Sequence, residues 1–170
     1  MTLKPILDIP TPKDLGLIKL PKNTAFVTQW FLVYGTLKKN NSNYNAYNLG
    51  KATQYHGTFR LRGFQLTGIK ASYTGHEDDW VVVDLLEVKQ TKDNIEANIL
   101  DLYEYNYQLD QLEGTQFDMY QTIIIPCKYN KEIILTKFYQ NVNTKKTDTL
   151  AKDGSYGPVS DVENIPFIEY

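Results

Sequence analysis

The sequence holds a single cysteine, Cys127, among 170 residues. No internal disulfide can form, and so sparing a use of thiols fits a reducing compartment. Histidine is almost as scarce. His56 and His76 stand on separate stretches with no second ligand at metal spacing, so no metal site is expected. Charge of one sign is lacking too: 18 Lys and Arg are set against 20 Asp and Glu, a net of −2. Binding a nucleic-acid backbone needs a concentrated cationic face, and this balance argues against such a partner; Arg60 and Arg62 make only a local basic pair. No apolar run approaches a membrane span. The opening "MTLKPILDIPTPKDLGLIKLPKN" is interrupted by Pro5, Pro10, Pro12 and Pro21 and has no signal-peptide core. A cytoplasmic protein without a membrane partner is expected. Phosphate-loop and dinucleotide signatures are missing. Gly154-Ser155-Tyr156-Gly157 has the wrong spacing for a nucleophile elbow.

What remains is a globular composition, 42% apolar and 22% charged, at a length that suits one domain able to bury a core without staples. The 13 tyrosines read as compositional bias rather than as a functional set. Residues 1–28, rich in proline, predict an irregular arm, and residues 29–170 a single domain. "QWFLVY", Gln29 to Tyr34, is a nearly continuous apolar run and predicts a strand buried on both faces. A short helix is expected around Tyr44 to Leu49, ended by Gly50, and a strand over Thr53 to Leu61. Gly57, Gly63 and Gly68 punctuate this region as in a meander bent into a barrel. His76-Glu77-Asp78-Asp79 reads as a solvated acidic turn before the strand that ends at Val88.

"TKDNIEANILDLYEYNYQLDQLEG" predicts the main helix, capped by Thr91 or Asp93 and stopped by Gly114. Ile95, Ile99, Leu102, Tyr105, Leu109 and Leu112 form its apolar stripe. "MYQTIIIPCKYN" and "KEIILTKFYQN" predict a hairpin turning at Tyr129-Asn130-Lys131, with Cys127 an inert core thiol; the tail is turn-rich. Strands with one long helix before the last hairpin predict an α+β fold.

Two features carry chemistry. The Tyr34-Gly35-Thr36-Leu37 corner follows a buried strand, where a glycine lets main-chain N–H groups point into one concavity and hold an anion or an oxyanion. Glu113 in "LDQLEG" lies beside the apolar stripe at the helix end. Partial burial and the negative end of the helix dipole both raise a carboxylate's pKa, which suits proton transfer near neutrality. The plainer alternatives are an ordinary turn at the corner, and a Glu113 that only caps the helix or pairs with a lysine.

"FLVYGTLKKNNSNY" followed by "NLGKATQYHGTFRLRGFQL", "WVVVDLLEV" and "LDQLEG…MYQTIIIPC" resembles, in order and approximate spacing, the γ-glutamylcyclotransferase-like superfamily over about residues 29–140. The resemblance implies a small mixed β-barrel flanked by helices, with one pocket. It implies that Tyr34, Gly35, Thr36 and Leu37 cradle a γ-glutamyl group, that Tyr120 contributes to substrate binding, and that Glu113 is the acid/base. The implied reaction cyclises a γ-glutamyl amine or amide to 5-oxoproline and releases the amine, with no metal or cofactor. Three positions depart from the family pattern: Gln121-Thr122 follows Tyr120 in place of x-Arg, Ser72-Tyr73-Thr74 lacks a loop proline, and Val83-Asp84 stands for Gly-Glu. A non-catalytic pocket for a small metabolite or nucleotide, and a vestigial pocket on an interaction protein, are the alternatives. In each enzymatic or binding case the partner is a small molecule.

Overall fold

The computed structural model describes residues 18–19, 26–34, 49–67, 70–112, 120–141 and 162–170. Eight strands are β1 (Ile18–Lys19), β2 (Trp30–Val33), β3 (Thr53–Arg62), β4 (Phe64–Thr67), β5 (Lys70–Tyr73), β6 (Trp80–Val88), β7 (Tyr120–Tyr129) and β8 (Glu132–Asn141). The described α-helices are α1 (Leu49–Ala52) and α2 (Ile95–Leu112), with a single 3-10 turn at Val162–Asn164. Six strands make one mixed sheet in the order β1-β7-β8-β2-β6-β3, and β4-β5 form a separate hairpin. The α+β expectation stands. The barrel does not: among the described residues the sheet stays open, with β3 at one edge. No described helix is long and apolar enough to cross a membrane.

The short apolar run of β2 is buried because it lies inside the sheet, antiparallel to β6 and parallel to β8. Alternation sends Phe31 and Val33 to one face, where they meet Leu102 and Leu109 of α2. Leu32 and Tyr34 go to the other face, against Phe64, Leu66 and Ala71 of the β4-β5 hairpin. The sheet is therefore covered on both sides.

β7 and β8 pair over their whole lengths around a two-residue turn, Asn130 at φ 48° and Lys131 at φ 65°. Positive φ at both turn positions matches the twist of the strands. Pro126 sits within β7 without breaking it. Tyr129 and Glu132 flank the turn as a hydrogen-bonded pair, so by alternation the nitrogen of Pro126 points away from β8. On that outer side it falls between Ile124, which pairs with Ile18, and Lys128, which bridges to Glu169. β3 carries an extra residue between Tyr55 and Thr58, and Gly57 within this bulge has φ 125°.

Several local expectations change. Asn94 caps α2, its Oδ1 accepting from the Glu96 amide at 2.8 Å; Thr91 and Asp93 do not. Ile95 is 72% exposed, so the helix stripe starts later than its spacing suggests. The centre of the buried face holds Asn106, which is polar and was invisible to an apolar count. Its Nδ2 donates to the Thr28 carbonyl at 3.0 Å and its Oδ1 accepts from the Thr28 amide at 3.2 Å, as a neighbouring strand would. Gly50 lies inside α1 rather than ending a helix; residues 44–48, Gly68 and Gly114 are outside the described residues.

The segment 165–170, expected as part of a turn-rich tail, joins the β3 edge of the large sheet to β7, past the end of the short edge strand β1. Phe167 bridges to Arg60 of β3, and Glu169 to Lys128 of β7. The Arg60 and Arg62 guanidinium carbons lie 3.9 and 3.5 Å from the Phe167 ring centre. The basic pair seen in the sequence is thus engaged by this segment. His56 of β3 spans the same gap. Its Nδ1 meets the Tyr129 hydroxyl at 3.1 Å, and its Nε2 meets Glu87 Oε1 at 3.1 Å.

Candidate active site

Tyr34 closes β2 with its side chain in the core. Its hydroxyl donates to the Tyr139 carbonyl at 2.6 Å, and its ring packs against Phe138 at 5.1 Å between centres. The strand end that leads into the glycine corner is therefore pinned to β8. Gly35, Thr36 and Leu37 lie outside the described residues, as does Glu113. Tyr120 opens β7 opposite Asn141 and packs half-buried against the cluster that holds Phe31, Val33, Leu109 and Tyr139.

Sequence reasoning missed three residues that meet at this end of α2. Asp110 belongs to the quoted "LDQLEG" and accepts a short hydrogen bond from the Tyr139 hydroxyl. It also receives Lys137 Nζ at 3.2 Å, and the Lys137 side chain has no exposed surface. Burial lowers the Lys137 pKa from its ordinary 10.5, and the Asp110 carboxylate pulls in the opposite direction. A signal was there to be read: in "IILTKFYQ" period-two alternation puts Lys137 and Tyr139 on the same strand face as Ile133 and Leu135, so a lysine falls on an otherwise apolar or aromatic stripe.

Asp84, where the resembling family carries Glu, is 2% exposed. It sits opposite Val33 in the next strand and accepts from Thr58 Oγ1 at 2.8 Å. A carboxylate set between three valines and two leucines in "WVVVDLLEV" was the sign of it. Thr122 stands where the family's arginine would be and is 7% exposed, so this position presents a short buried hydroxyl and no cation. Its neighbour Gln121 accepts from Gln140 Nε2 at 2.7 Å, and Gln140 in turn accepts from the Tyr73 amide at 3.1 Å. Asp79 of the acidic turn is taken up by Thr74 Oγ1 at 2.6 Å and Gln65 Nε2 at 3.1 Å. A cavity of about 250 Å³ lies against the middle of α2, lined by Lys51, Lys89, Asp101, Glu104 and Tyr105 among others. It contains none of the predicted site residues.

Comparison with known proteins agrees with this architecture. The Gamma-glutamyl cyclotransferase, AIG2-like family matches residues 31–157, and the chain belongs to that family. An AIG2-like protein from Mus musculus shares the fold at 15% identity and a TM-score of 0.52, over 84% of this chain and 96% of the mouse chain. An uncharacterized protein from Pyrococcus horikoshii aligns at 14% identity and a TM-score of 0.47, over 75% and 88% of the two chains. No curated protein matches.

Proposed function

We propose that the chain is a γ-glutamyl cyclotransferase acting on a γ-glutamyl amine or amide. The observation that carries this reading is that one family match, residues 31–157, takes in both the Tyr34–Leu37 corner and Glu113. In the reaction the substrate's own α-amine attacks its γ-carbonyl. Glu113 takes one proton from the α-ammonium and later gives it to the leaving amine; the second proton, shed by the ring nitrogen after attack, passes to water or to the released amine, the C–N bond to that amine breaks and 5-oxoproline is left. Main-chain amides of Gly35, Thr36 and Leu37 hold the oxyanion or the substrate carboxylate, and Tyr120 lines the pocket. Because the nucleophile is part of the substrate, orientation and proton transfer supply the catalysis. The small, soluble reactants and the single free thiol fit a cytoplasmic setting.

The test is 5-oxoproline release from a panel of γ-glutamyl amines and amides. Glu113→Gln is expected to lower kcat by about 10²–10⁴-fold. Turnover at the wild-type rate would remove Glu113 from the mechanism.

One observation favours a second reading, that the pocket binds a metabolite without turning it over: the buried Thr122 supplies no cation where the family pattern has one. A ligand that raises the melting temperature and is recovered intact supports binding. Recovery as 5-oxoproline supports the enzyme.

A further inference from the structure

Asp110 breaks a local rule. It lies in the last turns of α2, a helix with no basic residue in its own last turn, so its charge faces the negative end of the dipole. Lys137 breaks another, as an ammonium with no exposed surface. The two pair with each other, and the Tyr139 hydroxyl adds a hydrogen bond to the same carboxylate oxygen, Oδ1. Replacing such an ion pair with apolar side chains is often neutral or stabilising, so stability alone does not account for it. Local rules broken together point to a position that has to be held.

The same Tyr139 reaches the other half of the proposed site by a different group. Its side chain stands on the helix face, while its main-chain carbonyl accepts the hydroxyl of Tyr34, whose ring lies on the opposite face. We propose that Tyr139 is the positioning residue that locks the two halves of the site together: its carbonyl fixes the strand end before the Gly35 corner, and its hydroxyl, with Lys137, fixes Asp110, three residues ahead of Glu113. The catalytic consequence rests on the cyclotransferase reading; the mechanical link rests on the hydrogen bonds alone. A cradle and an acid/base carried on separate elements must keep their spacing closely for the amine to attack, and a displacement of 1 Å can cost on the order of 100-fold in rate.

The experiment uses the full chain with Tyr139→Phe, which removes only the hydroxyl, and Lys137→Met, which works on Asp110 from its other partner should the first variant fold poorly. Two readouts are taken: steady-state 5-oxoproline release, and hydrogen exchange at the amides of residues 107–112 against those of 97–101. Each variant is expected to lower kcat by about 10- to 100-fold with KM within about 2-fold, and to speed exchange over 107–112 while 97–101 keep wild-type rates. Wild-type exchange over 107–112 in a folded variant overturns the link. Faster exchange with unchanged kcat overturns the positioning role. If the wild-type chain releases no 5-oxoproline from any substrate, the cyclotransferase reading has failed, and the exchange arm then decides the link by itself.

Discussion

Cys127 has no exposed surface, and burial pushes its thiol from 9.0 up to about 12. Below pH 9 the folded and unfolded chains both keep the proton, and the contribution of burial is complete. Between about 9 and about 12 only the unfolded chain gives the proton up, so stability falls as pH rises. Lys137 works the other way: its lowered pKa makes the protonated form the costly one in the fold, and the cost is relieved as pH climbs toward 10.5. Cys127→Ala separates the two. The stability gap between wild type and this variant is expected to narrow above pH 9 by about 1.4 kcal/mol per pH unit, read by urea unfolding at pH 7.5 and 10.5. A gap that stays constant rejects the assignment. At this scale the sequence was partly legible. Cys127 beside Pro126 in an apolar strand already read as a core thiol. Asp110 and Lys137 were not legible as partners, because they are 27 positions apart and each looks like a surface charge by itself.

Helix α2 depends on Asn106 as much as on leucines. Its amide meets the Thr28 N–H and C=O together, in a place closed to water. Asn106→Ala leaves both main-chain groups without that partner, and a loss of about 2–4 kcal/mol is expected from the urea midpoint. A loss below about 1 kcal/mol would mean that water or a shifted backbone satisfies Thr28. Legibility at the element scale followed local information. The β7-β8 hairpin was readable because its turn and its apolar runs are contiguous. The helix was readable as a helix, but its cap was misplaced: Thr91, Asp93 and Asn94 are all capping residues, and only the geometry of the Glu96 amide chooses among them. The buried face was misread at Asn106 because a polar residue enters a core when a distant backbone offers it two hydrogen bonds, and no periodicity reports that.

On the scale of the molecule, the segment 165–170 ties β3 to β7 alongside the direct His56–Tyr129 contact. It receives hydrogen bonds from the Arg60 amide at Pro166 O, 2.8 Å, and from the Lys128 amide at Glu169 O, 2.8 Å, while the Ile168 amide donates to Arg60 O at 3.0 Å. Phe167→Ala removes the ring beneath both guanidinium groups, at an expected cost of about 1–2 kcal/mol. Because the bridges share one short segment, the amides of Arg60 and Lys128 are expected to exchange faster together in this variant. Faster exchange at Arg60 with Lys128 unchanged would show that the two strands are held independently. The open sheet was the feature least legible beforehand. Punctuating glycines suggested a closed barrel, but what spans the gap among the described residues is two single-residue bridges and the His56–Tyr129 contact, which leave no pattern in a sequence.

Tyr34 and the carbonyl that receives its hydroxyl are 105 residues apart. At ordinary rates of synthesis, about 5–20 residues per second, the strand "WFLV" waits about 5–20 s on the ribosome before β8 exists to pair with it. Through that interval the most apolar strand of the proposed site has no parallel neighbour, and the glycine corner has no anchor. Both halves of the proposed site are tied in the same step, when Tyr139 is made, and the half made first has waited longest, with the nascent chain open to wrong partners for that long.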